Sequence, residues 1–348
     1  MKINNLQYFK CPLSGSELEL EINSSEVSNG EVLEGILISK KSNSRYVIKD
    51  GIPNFTLFNE KEKDKNEYAI SLFKEKAKEF DKYQHLSFET FYEDEIAVRN
   101  LMIDKLNINS NSKVLEVNSG TGRDSQLIAK RLTAEGLLHV QDISREMLEI
   151  CRFKLLDVLI PFEMHQGDAC KLPYADKTFD CVYSFGGVGM NTYSNNKEAI
   201  AELVRVTKIN GRIVFGGLSL APWLKDTFFA NVLINHNSHY ANGISFSDLP
   251  VEARNLNINW ILAGAGFVID FTVGEGEPNA NFNYEIPGPR GGTHLTRYLG
   301  KLEGVTPETK ELALKAREKL GIPMHKWLDE LIKNEAEKII NENTEIDA

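Results

Sequence analysis

The sequence predicts an α/β fold, a largely parallel sheet with helices on both faces, and three observations predict it. From Lys113 onward, short apolar runs alternate with amphipathic helical stretches, the order expected of βα units. One run, KVLEV, breaks into the glycines of SGTG and then into a helix, so a strand, a tight turn and a helix start follow one another within thirteen residues (Lys113–Ser125). At 348 residues, with 42% apolar content, the chain can bury a full core without disulfide staples.

The first 55 residues read as a small β unit, with LELEI, EGILIS and RYVIKDG as strands between polar turns. A charged run over 59–82 carries Ala69, Ile70, Leu72, Phe73, Ala77 and Phe80 at helical spacing, a linker turning into a helix. A second helical pattern follows over 88–107, through Phe91, Ile96, Ala97, Leu101, Met102 and Leu106. The aromatics Tyr83, Phe88, Phe91 and Tyr92 before it read as core or lid packing.

Val114, Leu115 and Val117 form the opening strand, and Gly120 and Gly122 let the backbone turn closely before a helix resumes over Gln126–Leu132. Leu137–Ile143 is a second strand ending at Asp142. Ser144 then caps a helix expected to reach Leu159, with Glu146 in its first turn. Phe162–His165 is a third strand ending in Gly167–Asp168–Ala169, and Phe179–Phe185 a fourth. An amphipathic helix from about Asn196 to Ile209 closes at Asn210–Gly211, and Arg212–Leu218 is a fifth strand.

An aromatic- and His-bearing insertion over 219–259 interrupts the rhythm, where a substrate would be covered. A helix is expected over about 250–263, then FVIDFTV as a sixth strand. THLTRYLGKLEG, after a Gly/Pro/Asn-rich loop over 274–292, is expected as a seventh, antiparallel to the sixth. Two helices split by Gly321–Ile322–Pro323 finish the chain. Their eight Lys/Arg against eleven Asp/Glu from Lys301 to Ala348 suit packing or homodimerisation better than DNA reading. The expected division is a β module at 1–57, linker and lid helices at 58–107, the main domain at 108–304 and the helix pair at 305–348.

A formal charge of −10 argues against a broad nucleic-acid surface, which needs clustered Lys and Arg. No apolar run approaches the ~18 residues that span a bilayer, and the opening residues lack a signal-peptide core. Four scattered cysteines, Cys11, Cys151, Cys170 and Cys181, suit a reducing compartment, so a cytoplasmic address with no membrane partner is expected.

The turn could serve a dinucleotide or S-adenosylmethionine. A dinucleotide fingerprint wants a third glycine where Ser125 stands. The pattern E-V-N-S-G-T-G (Glu116–Gly122) instead resembles the first motif of class I S-adenosylmethionine-dependent methyltransferases. Asp142, Gly167–Asp168–Ala169, LPYADKTFDCVYS and ELVRVTKINGRIVF agree with that family in order and spacing. The resemblance covers roughly residues 90–300 and implies a Rossmann-like sheet of seven strands, mostly parallel with the last antiparallel. It also implies S-adenosylmethionine as cofactor, held by Glu116, Asn118, Ser119, Gly120, Thr121, Gly122, Asp142, Ile143, Met147, Asp168, Ala169 and Phe185. Asp142 would accept the ribose hydroxyls, and Gly167–Asp168–Ala169 would read the adenine edge. The family usually has glycine at Asn118 and at or beside Ser119, two departures. Asn tolerates positive φ best among the other residues, so the turn can persist.

The frame CPLS (Cys11–Ser14), SKKS (Ser39–Ser42) and RYVIKDGIPNF (Arg45–Phe55) resembles a small zinc ribbon that accompanies some methyltransferases. Ser14, Ser39 and Ser42 stand where three of its four cysteines would be, and hydroxyl is a poor zinc ligand, so no metal is expected.

Methyl transfer from a sulfonium is an in-line displacement that needs positioning and, for a protonated nucleophile, a base. His239, His236 and Tyr240 in the insertion and His294 further on are the candidates. Neither the N-P-P-Y or D-P-P-Y run of amino-methylating nucleic-acid enzymes nor the Pro–Cys pair of cytosine C5 enzymes is present; FGGVGMN (Phe185–Asn191) follows the fourth strand instead. A small-molecule acceptor is expected, through O, N or C. A cofactor-binding protein without methyl transfer, or an RNA or protein methyltransferase, is the alternative.

Overall fold

The computed structural model describes residues 1–22, 27–28, 30–56, 77, 79–188, 196–242, 245–289, 291–299 and 305–344. The chain divides into two compact units, Met1–Pro278 and Asn279–Ala348. Most of the expected linker, part of FGGVGMN and the end of THLTRYLGKLEG lie outside the described residues. Among those described, no helix is long and apolar enough to cross a membrane.

In the first unit, the N-terminal strands are β1 (Glu19–Glu21), β2 (Val27–Ser28), β3 (Glu31–Val32), β4 (Gly35–Ser39), β5 (Ser44–Lys49) and β6 (Ile52–Pro53). β1, β4, β5 and β6 pair in that order as an antiparallel sheet, and β2 pairs with β3. β5 alternates as a half-buried strand should: Tyr46 and Ile48 point inward, Arg45, Val47 and Lys49 outward.

The main sheet has seven strands: β7 (Lys113–Val117), β8 (Leu137–Asp142), β9 (Phe162–Gln166), β10 (Phe179–Phe185), β11 (Thr207–Leu218), β12 (Ala253–Ile261) and β13 (Gly266–Val273). Their order is β12-β13-β11-β10-β7-β8-β9. β7 to β11 run parallel, and β13 is antiparallel to both its neighbours. Side-chain alternation divides the core between two faces. Leu115, Val182, Ile213 and Phe215 pack with α5 (Asn196–Val206) on one; Val114, Leu138, Val140 and Val214 pack on the other with α2 (Glu95–Asp104), α3 (Arg123–Ala129) and α4 (Arg145–Leu155). A short helix α1 (Leu86–Glu89) precedes α2, and α6 (Phe228–His236) lies in the insertion.

Several expected boundaries move. The helix expected over 250–263 is strand β12: Leu256, Ile258 and Trp260 alternate with asparagines and pack on the core, a period of two that short-range reading took for a helix. β12 is therefore the sixth strand and FVIDFTV the seventh, so the antiparallel last strand is β13. THLTRYLGKLEG is no strand where it is described: His294–Leu299 is α7, in the second unit. α4 stops at Leu155 and α5 at Val206, where β11 begins, with Asn210 at φ +64° beside Gly211. The single helix expected over 88–107 splits at Tyr92, whose φ is +59°, and restarts where Asp94 accepts the Ala97 amide at 2.7 Å.

The second unit holds α8 (Pro307–Leu320) and α9 (Met324–Thr344) besides α7. Thr306 caps α8, with Pro307 in its first turn, and Gly321 at φ +68° ends it.

The N-terminal module docks on the outer strand of the large sheet. Asn54 bridges Gln166 in parallel, and the Phe55 amide donates to the Gln166 carbonyl at 2.7 Å. Phe9 and Phe55 stack into a buried cluster with Tyr174, His139 and His165. The Tyr174 hydroxyl lies between the Nδ1 atoms of His139 (3.0 Å) and His165 (2.9 Å), and burial holds both imidazoles neutral, with His139 pushed down to about 3.

A methyl group at Gly216 would lie 2.3 Å from the Phe267 carbonyl oxygen, backbone of the neighbouring strand. Gly216→Ala is expected to lower unfolding stability by about 3 kcal/mol in urea denaturation, because β13 cannot shift without breaking its ladder.

Candidate functional site

The strand order reverses beside β7: β8 and β9 lie on one side, β10 and β11 on the other. Connections leave in opposite directions there, so the carboxyl ends of β7 and β10 flank a crevice in which open α/β sheets bind ligands. The first residues past β7 are built for close approach. Asn118 has φ +61°, Gly120 +53° and Gly122 +81°. A Cβ on Gly120 would meet nothing within 4 Å, whereas one on Gly122 would strike Cys151 Sγ at 2.5 Å. Gly122 thus lets α4 press on the turn, and Gly120 keeps its outer side open.

Asp142, the last residue of β8, is 7% exposed. Its carboxylate accepts the Gly120 amide (2.8 Å) and the Ser144 amide (2.8 Å). Burial pushes its carboxyl up to about 6, against the pull of these amides. Ser144 caps α4 as expected, its hydroxyl accepting the Met147 amide at 3.3 Å. Ile143 and Met147 are buried. Asp168 and Ala169 follow β9, and Asp168 accepts the Cys170 amide at 2.9 Å. Gln141, which sequence reading passed over inside a buried strand, joins these parts: its side-chain oxygen accepts the Asn118 amide at 3.1 Å and its amide donates to the Gly167 carbonyl. A glutamine amid apolar neighbours was the available signal. The Ser119 amide donates to the Gln141 carbonyl at 3.0 Å.

Beneath the turn lies a charged network that sequence reading also missed, since its members come from four distant segments. Arg99, 4% exposed, donates to Glu95 and to Asp124, each at 2.7 Å. Arg123 also donates to Glu95. Burial opposes ionisation of Glu95, but the two guanidinium groups outweigh it and hold its carboxyl below the usual range. Asp81 accepts the Thr121 hydroxyl at 2.6 Å and pairs with Lys154 at 2.5 Å, fastening the segment before α1 onto the glycine turn. Glu116 accepts the Ser125 hydroxyl; burial first, then the Asp124 charge, pushes its carboxyl well above the usual range.

Side chains from α1, α6 and the segment after it join the apolar cluster that reaches the end of β10. Phe185 is half-buried there, in one apolar cluster with Phe88, Phe91, Phe229, Leu233 and Tyr240. The Leu220 amide donates to the Tyr240 carbonyl at 3.2 Å, which anchors the insertion beside the end of β11. Of the candidate bases, Tyr240 is buried, and His239 is half-buried with its Nδ1 buried and unpartnered. His236 is exposed at the end of α6, and His294 is exposed in the second unit.

Cys11, Ser14, Ser39 and Ser42 converge in the N-terminal module. Cys11 Sγ lies 3.2 Å from Ser42 Oγ and 3.1 Å from the Tyr46 hydroxyl; Ser39 Oγ lies 2.9 Å from Ser42 Oγ and 3.3 Å from Ser14 Oγ. Burial opposes thiolate formation, yet the surrounding hydroxyls bring the Cys11 thiol down to about 6. Among the described residues no group of three or more His, Cys, Asp or Glu could hold a metal ion.

The residues at the switch point fit S-adenosylmethionine: open space over Gly120 for a close-lying ligand, and a two-oxygen acceptor at the end of β8. Residues 114–211 match the family described as methyltransferase domain. The ubiquinone/menaquinone biosynthesis C-methyltransferase UbiE of Xylella fastidiosa is 33% identical over 126 residues, 35% of this chain and 49% of that relative. Its namesake from Methylococcus capsulatus is 30% identical over 118 residues, 33% and 47% of the two chains. The chain spans about half the length of these relatives. A solved S-adenosylmethionine-dependent methyltransferase from Aquifex aeolicus is 14% identical, covering 50% of this chain and 89% of that one with a TM-score of 0.36. Residues 114–211 are thus similar to a methyltransferase domain.

Removing Arg99 would leave Asp124 and Glu95 buried with one cationic partner fewer. Arg99→Met is expected to cost about 3 kcal/mol of unfolding stability, read by urea denaturation.

Proposed function

We propose that the chain transfers the methyl group of S-adenosylmethionine to a small-molecule acceptor. The observation that carries this reading is the switch-point crevice, where the open glycine turn and the Asp142 carboxylate meet across two adjacent strands. In this reading Asp142 accepts the ribose hydroxyls, Asp168 and Ala169 line the adenine edge, and Ile143 and Met147 supply its apolar floor. Glu116 braces the turn from below through Ser125, while Ser119, Thr121 and Gly122 hold its shape. S-adenosylmethionine supplies an activated methyl group, so the chain's own task is to bind, align and exclude water.

The acceptor lies at the end of β10. The cluster around Phe185 favours an apolar or aromatic molecule. The relatives' printed activity, C-methylation, supports carbon among the acceptor atoms. His239 is the residue assigned to take a proton, at its unpartnered Nδ1, and Tyr240 orients the acceptor beside it. His236 and His294 are exposed and fall behind these two as bases. A cytoplasmic address belongs to the reading, supported by cysteines scattered along the sequence without paired spacing. A homodimer through the C-terminal pair also belongs to it, supported by exposed Leu312, Leu320, Leu331 and Ile332. The N-terminal module is read as a ribbon that has lost its metal, its four ligand positions now joined by hydrogen bonds.

Incubation with methyl-labelled S-adenosylmethionine and a fractionated cell extract tests the reaction. Label in the small-molecule fraction supports it; label confined to protein or RNA overturns the acceptor class, and no label in any fraction favours binding without transfer.

The Asp142 carboxyl, raised to about 6 by burial, accepts hydroxyls best when ionised. S-adenosylhomocysteine is expected to bind about tenfold more weakly at pH 5.0 than at pH 7.5, one pH unit below that pKa giving about a tenfold loss of carboxylate. Asp142→Asn should bind weakly at both pH values and lose the dependence, as read by isothermal titration calorimetry.

A further inference from the structure

The two strands that flank the crevice each release an unusual residue at its mouth. Asn118, the first residue past β7, takes a left-handed φ of +61° and turns its carboxamide across to β10, where its Oδ1 accepts the Ser184 hydroxyl at 3.2 Å. Gly187, two residues past β10, is buried against that carboxamide. A Cβ at 187 would lie 2.4 Å from Asn118 Cγ, 2.4 Å from its Oδ1 and 2.8 Å from its Cβ. All three nearest atoms belong to Asn118. Gly187 is not among the residues of positive φ, so the backbone itself does not demand glycine there. What demands it is the asparagine side chain.

The pair sits at one definite end of the cofactor site. Asp142 holds the other end, at β8, and β8 and β10 are separated by β7 alone. With strands about 4.8 Å apart, those ends lie roughly 10 Å from one another. A nucleoside with its ribose on Asp142 therefore extends its 5′ substituent over the glycine turn toward Asn118. Resting on the cofactor assignment above, we propose that Asn118 and Gly187 form a size-matched pair that seats the amino-acid arm of S-adenosylmethionine. Asn118 is the positioning residue. Ser184 fixes the rotation of its carboxamide, and Gly187 leaves it the room to lie flat in the crevice. Any side chain at 187 drives the carboxamide outward into the arm's path, and a glycine at 118 leaves the arm without a wall.

The adenine and ribose contacts are remote from this pair, which makes the test selective. Two probes are titrated calorimetrically: S-adenosylhomocysteine, and 5′-methylthioadenosine, which keeps the nucleoside and sulfur but lacks the amino-acid arm. Asn118→Gly is expected to weaken S-adenosylhomocysteine at least fivefold and Gly187→Ala more than tenfold, with 5′-methylthioadenosine within twofold throughout. In the Asn118→Gly background, Gly187→Ala should cost less than twofold further, because every atom it strikes has gone. The pairing is overturned if the Gly187→Ala loss persists in that background, or if both probes weaken in step. An Asn118→Gly variant that binds S-adenosylhomocysteine within twofold of the parent also overturns it, even where Gly187→Ala fails to fold. Failure of the parent chain to bind either probe would instead remove the cofactor assignment.

Discussion

The hydrogen bond from the Gly120 amide to Asp142 is the contact on which the rest of the site depends. It ties the turn after β7 to the end of β8, two segments whose strands pair in parallel but whose exits are otherwise independent. Because Asp142 is buried, its ionised form is disfavoured, and the backbone amides of Gly120 and Ser144 partly offset that cost. A carboxylate so placed is held rigid by two donors and keeps lone pairs for a third partner. Gln141, the residue before it, adds a second tie through Asn118 and a third through Gly167, so the turns after β7, β8 and β9 are joined by hydrogen bonds.

That rigidity is supported from below by charge and not by apolar packing alone. Arg99, Glu95, Asp124 and Arg123 link α2 to the first turn of α3. Buried ion pairs contribute little net stability but make misplacement costly, since each separated charge would remain desolvated. The network therefore specifies where α2 sits on α3. Asp81 extends the same logic to the segment preceding α1 through Thr121 and Lys154. The segment before α1, α2 and the glycine turn are thus joined through shared carboxylates.

Much of this was legible in the sequence because it is local. β7, the glycine turn, Asp142, the Ser144 cap and Gly167–Asp168–Ala169 are each signalled by a few consecutive residues obeying strand, turn or cap chemistry. The sixth strand was misread because Asn255, Asn257 and Asn259 interrupt the apolar run at a spacing that also fits a helix, and only pairing with β13 decides between the two. Arg99, Gln141 and Asp81 were invisible for another reason. Their partners lie 25, 23 and 40 positions away, and no local pattern predicts that a buried arginine will meet an aspartate on another helix. Residue type and place in the insertion single out the catalytic candidates, and burial separates them: Tyr240 and the Nδ1 of His239 are buried, His236 is exposed.

The N-terminal module belongs to the same argument through the edge it covers. β9 ends the sheet, and an unpaired strand edge is a template for unwanted pairing. Asn54 and Phe55 occupy it at Gln166, next to Gly167, Asp168 and Ala169. Phe9 and Phe55 then close a cluster in which two neutral histidines share one tyrosine hydroxyl, an arrangement stable only while water is excluded. Without the module, His139 and His165 would lose the Phe9 and Phe55 rings that cover them, and β9, which leads into Asp168, would lose its outer neighbour. Hydrogen bonds among Cys11, Ser39 and Ser42 hold the turns together, and the docking surface lies on other residues.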